Sequence, residues 1–300
     1  MGSAFEFVLV VDEASGQVLL EECVAEVKRI ENLLTEFSET SQTAMVNKAA
    51  GIAPVRVDTE VYTLLKRCHD LSMVTQGSFD VTAGVLKKLY NFKQERFIMP
   101  GKEKIRDTLA RVGYEKIKFL DNNRIFLSDP GMHIGFGAIG KGYAADRVRQ
   151  MMIAREVKGG VINASGDLAV WGTREDGKPW SIGIADPENP CRSILRFPLV
   201  NAAVATSGDY ERFFEFKGKR YSHTIDPATG KPVTGVKSVS VVSPSAELSD
   251  ALATAVLIMG PATGLHLIEQ LPGTHALLID EENEVRMSSR LNPEFHERVA

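Results

Sequence analysis

Residues 237–260 read KSVSVVSPSAELSDALATAVLIMG. The opening Lys-Ser-Val-Ser-Val-Val alternates with period two, as a strand does. After Pro244 the pattern changes to a helix whose apolar residues Leu252, Val256 and Met259 need no role beyond a core. Asp250 and Thr254 are four apart on that helix, so their side chains share one face. A carboxylate and a hydroxyl are hard oxygen ligands, suited to magnesium rather than zinc. The same spacing also describes a solvated or capping pair.

The flanking sequence has the same mixed character. Short apolar segments run from about residue 115 (KIKFL, RIFL, GVIN, LAVWG, WSIGIA, ILRFPL), separated by Asp-Asn, Asp-Gly, Gly and Pro turns. Helices are expected near 141–155, 244–260 and 262–270, and HALLIDEENEVRMS is expected to close the chain as a hairpin. Toward the N-terminus, residues 4–22 read as a β-hairpin turning at Ala14-Ser15-Gly16. Val24, Val27, Ile30, Leu33, Leu34 and Phe37 follow as the apolar face of a helix from Cys23 to Phe37. Helices are also expected from Asp58 or Thr59 to Gly77 and from Lys102 to Gly113. The fold class is α+β, with mixed, largely antiparallel sheets flanked by helices. No linker rich in Pro, Ser or charge marks a domain boundary, and no period of 20–50 residues repeats.

Composition narrows the function classes. The 300 residues are 44% hydrophobic and 25% charged, with a formal net charge of −4. Basic charge is scattered, which argues against nucleic acid as a partner. No run of about 18 apolar residues suggests a membrane span. Cys23, Cys68 and Cys191 are odd in number and lack a CxxC pair, so neither zinc nor a disulfide framework is indicated. The N-terminus does not read as a signal peptide. The chain is cytoplasmic if Met1 is the native start, and periplasmic or lipid-anchored if an export signal preceded it.

Residues 135–142 read Gly-Phe-Gly-Ala-Ile-Gly-Lys-Gly. Gly135, Gly137 and Gly140 spell GxGxxG, and the same stretch nearly spells a P-loop. Both formal readings have faults. The acid expected about 20 positions on in a dinucleotide fold is absent from GGVIN, and Gly142 stands where a P-loop has Ser or Thr. A glycine-rich backbone with Lys141 at a helix start still suits a phosphate.

Further segments carry a resemblance. They are Asn163-Ala-Ser-Gly-Asp167, Ala205-Thr-Ser-Gly-Asp-Tyr210, Arg220-Tyr-Ser-His-Thr-Ile-Asp-Pro-Ala-Thr-Gly230 and Ser249-Asp-Ala-Leu-Ala-Thr-Ala255, with Gly137 to Asp146 upstream. In this order they resemble the signature of the ApbE family, the FAD:protein FMN transferases. Met1-Gly2-Ser3, Phe37-Ser38 with Asn47, and Gly77-Ser-Phe-Asp-Val-Thr82 resemble the family's N-terminal segments. The chain departs from the family where Gly135 replaces a common Asp and Gly140 a common Ala.

The resemblance implies a single compact unit over residues 1–300, with two subdomains allowed. It also implies a magnesium-dependent reaction in which FAD is cleaved, FMN passes through a phosphoester to a Thr or Ser of an acceptor flavoprotein, and AMP leaves. The metal would be held by the Gly140 carbonyl, Asp250 and Thr254. Lys141 would offset phosphate charge, and His223 would accept the acceptor's proton or position the pyrophosphate. Ser165, Gly166 and Asp167, with Ser207, Gly208 and Asp209, would line the FAD pocket. Asn47, Asp80 and Thr82 would border the isoalloxazine or adenine end, and Gly137 and Ala138 would contribute from the glycine loop. Tyr90 and Phe92 are aromatic enough to stack on a flavin, though isolated aromatics are more often core. Asp226 suits a turn equally well. The alternatives are a magnesium-dependent FAD pyrophosphatase, a flavin carrier without catalysis, and a nicotinamide oxidoreductase built on GFGAIG.

Overall fold

The computed structural model describes residues 3–90, 99–208, 213–216, 219–289 and 291. In chain order, β1 (Phe5–Leu9) leads to α1 (Glu13–Leu34), α2 (Gln42–Lys48), β2 (Val55–Arg56) and α3 (Thr59–Val74). A 3-10 turn at Val81–Ala83 and α4 (Gly84–Lys87) precede α5 (Lys102–Leu109), β3 (Ile117–Leu120) and β4 (Arg124–Leu127). Then come α6 (Gly140–Ala154), β5 (Gly160–Ala164), β6 (Asp167–Trp171), β7 (Trp180–Asp186), β8 (Asn189–Leu199) and β9 (Ala203–Gly208). The chain continues through β10 (Phe213–Phe216), β11 (Lys219–Ser222), β12 (Val236–Ser243), α7 (Ala246–Glu269), β13 (His275–Asp280) and β14 (Val285–Met287). Every strand pairing among the described residues is antiparallel, as the α+β reading expects.

The chain divides into two compact units, the second inserted into the first. Unit 1 comprises Met1–Ile30, Ile139–Tyr210 and Gly235–Ala300; unit 2 comprises Glu31–Ala138 and Glu211–Thr234. The first boundary falls inside α1, so no flexible linker exists there to be read from composition.

Unit 1 is built on a seven-stranded sheet in the order β1-β5-β6-β9-β12-β13-β14. Alternate residues of its strands serve two cores. Ile162, Ala164, Ala169 and Trp171 meet Cys23 of α1 and Ala145, Val148 and Met152 of α6 on one face. Val161, Val170, Val204 and Val242 meet Ile182, Ile184, Leu195 and Phe197 of the β7–β8 hairpin on the other. All eight residues of β12 are buried, which accounts for its high content of β-branched and small residues. In unit 2, β2, β4 and β3 form one sheet and β10 and β11 a hairpin. Val85, Leu86, Tyr90 and Ile225 form a core there with Leu109 and Val112 packed against it.

The N-terminal hairpin is a correction. Residues 13–22 are helical, because Asp12 caps the helix: its Oδ1 accepts the Ser15 N–H at 3.0 Å, and Gly16 N–H bonds to Asp12 O. Gly16 therefore sits in a first helical turn rather than a hairpin. The apolar face of α1 begins at Leu19 and continues through Cys23, Val27 and Ile30. Val24 is 40% exposed, and Phe37, beyond the helix end, is 89% exposed, so neither lies on that face. The two C-terminal helices expected at 244–260 and 262–270 are both present: α7 is two helical segments separated at Gly260, whose φ 76° and ψ 177° are not helical, with Pro261 opening the second. By length and composition α7 is apolar enough to cross a membrane, yet it packs on β12, β9 and α6 as a core helix.

Candidate functional site

Four elements of unit 1 (β9, β12, α6 and α7) position one group of the expected site residues. Ser243 ends β12, and Ser245 caps α7, its Oγ accepting the Leu248 N–H at 3.3 Å. From that start, Ala246, Asp250 and Thr254 follow at four-residue intervals on one face of the helix. This face meets the first turn of α6, where Gly140 is the first residue. A Cβ at Gly142 would collide with the Ala246 carbonyl oxygen, so only glycine permits this approach. The approach lets the Gly142 N–H reach Asp250 Oδ2 at 3.2 Å. Asp250 is 4% exposed. One turn further along α7, Thr254 Oγ1 lies 3.1 Å from Ser207 Oγ on β9. The three residues expected to hold a metal thus lie on two helices packed on each other, Gly140 at the start of α6 and Asp250 and Thr254 in the second and third turns of α7, with Ser207 beside Thr254.

Lys141 does not stand alone in the first turn of α6. Its Nζ makes an ion pair with Asp167 Oδ2, and Asp167 is almost completely buried. The other carboxylate oxygen accepts the Thr206 N–H at 3.3 Å. Ser165 and Gly166, with φ 54° and 96°, are the two central residues of the tight β5–β6 turn, whose flanking pair is Ala164 and Asp167. Asn163 Oδ1 accepts the Gly166 N–H at 2.8 Å, and Ser165 Oγ donates to Ala4 O at 3.0 Å. Asp167 is therefore delivered by turn geometry to its lysine. Gly208 ends β9; Asp209 lies outside the described residues, as does Phe92.

The remaining expected residues belong to unit 2. Asn47 grips the backbone of Ile134 from both sides, donating to its carbonyl at 2.9 Å and accepting its N–H at 2.7 Å. Asp80 Oδ1 accepts the Thr82 N–H and hydroxyl, each at 2.7 Å, while Oδ2 accepts the Tyr114 N–H at 3.1 Å. Thr82 Oγ1 in turn accepts the Gly113 N–H at 2.8 Å. Asp80 and Thr82 thus clamp the 113–114 backbone, and burial pushes the Asp80 carboxyl above its usual value. Gly137 is exposed with open space around it, and Ala138 is half-buried. His223 is half-buried just past β11, where the buried Ser222 caps the Thr224 N–H at 3.0 Å. Asp226 forms the turn to Gly230, accepting from Ala228 N–H and Thr229 Oγ1. Tyr90 is a core residue, 4% exposed, with its hydroxyl donating to Gly230 O at 2.6 Å.

Two residues not singled out from the sequence join this set. Glu36 and His133, 97 positions apart, are hydrogen-bonded through Oε2 and Nε2, and Asn47 Nδ2 lies 3.4 Å from the same imidazole nitrogen. The Glu36 carboxylate also lies beside Gly135, 3.3 Å from where a Cβ would stand. No local spacing announces such a pair. Its hydrogen bond with His133, ahead of the opposing cost of burial, holds the Glu36 carboxyl below its ordinary 4.5. A lowered folded-state value means that the contribution to stability is complete above 4.5 and is lost as pH falls through the folded value. Glu36→Gln is expected to cost about 1–2 kcal/mol at neutral pH. The gap from the parent protein should close in acid below 4.5. Thermal unfolding of both proteins across pH checks this, and a gap that stays constant would refute it.

The family model described as the ApbE family matches residues 1–278. The FAD:protein FMN transferase of Treponema pallidum (strain Nichols) is 32% identical over 286 residues, covering 90% of this chain and 79% of that protein. The FAD:protein FMN transferase of Klebsiella pneumoniae (strain 342) is 33% identical over 267 residues, covering 88% and 82%. The crystal structure of the ApbE protein from Thermotoga maritima MSB8 superposes with a TM-score of 0.90 at 33% identity, covering 99% of this chain and 96% of that one. The flavin transferase ApbE from Vibrio cholerae gives 0.86 at 26% identity, with coverage of 98% and 96%. With fold, length and motif order all in agreement, the chain belongs to the ApbE family.

Proposed function

We propose that this chain is a magnesium-dependent FAD:protein FMN transferase. It cleaves FAD, attaches FMN through a phosphoester to a Thr or Ser of an acceptor flavoprotein, and releases AMP. The observation that carries the reading is the buried Asp250 aligned with Thr254 against the glycine-bearing start of α6. The donor set fits the metal: carboxylate, hydroxyl and the Gly140 carbonyl are all hard oxygens, leaving room in an octahedron for waters and phosphate oxygens. Among the described residues no group of three His, Cys, Asp or Glu offers a rival site.

In the reaction the acceptor hydroxyl oxygen bonds to the FMN-side phosphorus. The bond from that phosphorus to the bridging oxygen breaks, and AMP departs with the bridging oxygen. When bound, magnesium supplies charge neutralisation at the phosphate oxygens. The residues of this chain bind and orient. The Lys141–Asp167 pair is neutral as a unit, so a buried carboxylate beside the phosphates does not repel them. Within that pair Lys141 is held as a directed donor next to the first-turn amides of α6. His223 carries over from the family resemblance as the group that takes the hydroxyl proton or positions the pyrophosphate.

Incubation with FAD and Mg²⁺, with and without an acceptor flavoprotein carrying a Ser or Thr site, tests the proposal. The expected result is acceptor-dependent AMP release, with the mass of FMN added covalently to the acceptor. AMP release at the same rate without acceptor would make the chain a pyrophosphatase instead. Intact FAD in both arms would leave only a carrier.

A further inference from the structure

We infer that Asp146 is a positioning residue for the cation site: it fixes α7 in the register that sets Asp250 against Gly142. The inference rests on the reading of Gly140, Asp250 and Thr254 as metal-holding residues. The first-turn amides of a helix have no acceptor within that helix. Here two helices supply one another's. Asp250 of α7 accepts from Gly142 N–H in the first turn of α6. One turn along α6, Asp146 Oδ2 accepts from Glu247 N–H at 2.9 Å and from the Ser245 hydroxyl at 2.7 Å, both at the start of α7.

The junction is tied a second time through Arg149. Its Nη2 makes a 2.8 Å ion pair with Asp146 Oδ1 and donates to Pro244 O at 3.0 Å. Asp146 is 5% exposed, and its Oδ2 bonds to Ser245 and Glu247 at the start of α7. Among the described residues Oδ1 lies against the Arg149 guanidinium without a hydrogen bond of its own, so Arg149 links it to the junction only through the Pro244 carbonyl.

Capping alone does not explain this carboxylate. Ser245 already caps α7 from its own chain, and burying a charge is costly unless it is paired. What Asp146 adds is a bond between helices at the residues that begin α7. Ala246 lies between Ser245 and Glu247, and its carbonyl is the atom against which Gly142 packs. Asp250 follows one turn later. A slip of α7 by one residue moves it 1.5 Å along its axis and turns it by about 100°, which takes Asp250 away from Gly142.

The experiment is calorimetric titration of the full chain with Mg²⁺, together with turnover measured against Mg²⁺ concentration. Asp146→Ala is expected to weaken binding roughly 10–100-fold, the range for groups that orient metal ligands. Its kcat should recover toward the parent value at high Mg²⁺. Asp146→Asn, which retains one acceptor oxygen, should restore most of the affinity. A purely structural role would lower the unfolding midpoint without moving the affinity of the folded protein, and that result overturns the inference. Parent-like Mg²⁺ binding by Asp146→Ala, with binding lost in Asp250→Ala, also overturns it while leaving the metal reading intact. Undiminished binding by Asp250→Ala sinks the metal reading itself. Should Asp146→Ala not fold, Ser245→Ala withdraws one donor from Asp146 and is expected to weaken binding several-fold; unchanged affinity there overturns the inference.

Discussion

Asp250→Ala is expected to lower magnesium-dependent FAD turnover by about a thousandfold or more, with no recovery at high Mg²⁺. The size follows from charge. A divalent cation contributes several kcal/mol of stabilisation to a transition state spread over phosphate oxygens, and each 1.36 kcal/mol is tenfold in rate. Asp250 is the one carboxylate in the proposed metal set, so the alanine variant leaves only neutral oxygens. It also leaves Gly142 N–H without its acceptor, at a cost of about 1–3 kcal/mol. The unfolding midpoint should therefore be measured beside the rate. A folded variant with AMP release within tenfold of the parent would remove Asp250 from the mechanism.

Gly142→Ala has the second large effect, and here two terms oppose each other. Alanine is the better helix former by about 1 kcal/mol. Its methyl group, however, would stand against backbone, the carbonyl of Ala246, rather than against a side chain that can rotate away. The helices must part, at a typical cost of about 1–3 kcal/mol and occasionally more. The steric term wins. The expected outcome is net destabilisation of roughly 1 kcal/mol in chemical denaturation, together with weaker Mg²⁺ binding, because separating the helices stretches the Gly142–Asp250 bond. An unchanged denaturation midpoint would show that α6 and α7 can shift without penalty.

Local pattern carried the reading where chemistry and periodicity lie within one segment. The strand at 237–243, the helix bearing Asp250 and Thr254, and the closing hairpin are all found close to where their residues place them. The break expected between the helices at 244–260 and 262–270 falls at Gly260, and the chain resumes its helix immediately through Pro261. At the N-terminus Gly16 suits a turn, but Asp12, four positions earlier, caps a helix and decides the local structure. What the sequence could not display is partnership at a distance. Lys141 with Asp167, Glu36 with His133, and Asp146 with Glu247 are 26, 97 and 101 positions apart. Sheet order and helix crossing bring them together, and no local spacing encodes either. For the same reason the bonds that tie Asp80 and Thr82 to the backbone at Gly113 and Tyr114 have no local signature in the sequence.

The seven-stranded sheet has a consequence for how the protein is made. Among the described residues its first strand, β1, pairs only with β5, so Leu9 waits for Gly160. At ribosomal rates of about 5–20 residues per second, that interval of roughly 150 residues lasts on the order of ten seconds or more. During it Phe5, Phe7 and Leu9 have no sheet to join, while most of unit 2 has already left the ribosome. The long loop also makes this pairing entropically late in refolding from denaturant. The nascent edge, rather than any segment near Asp250, is therefore where a holding chaperone would be most useful to this chain.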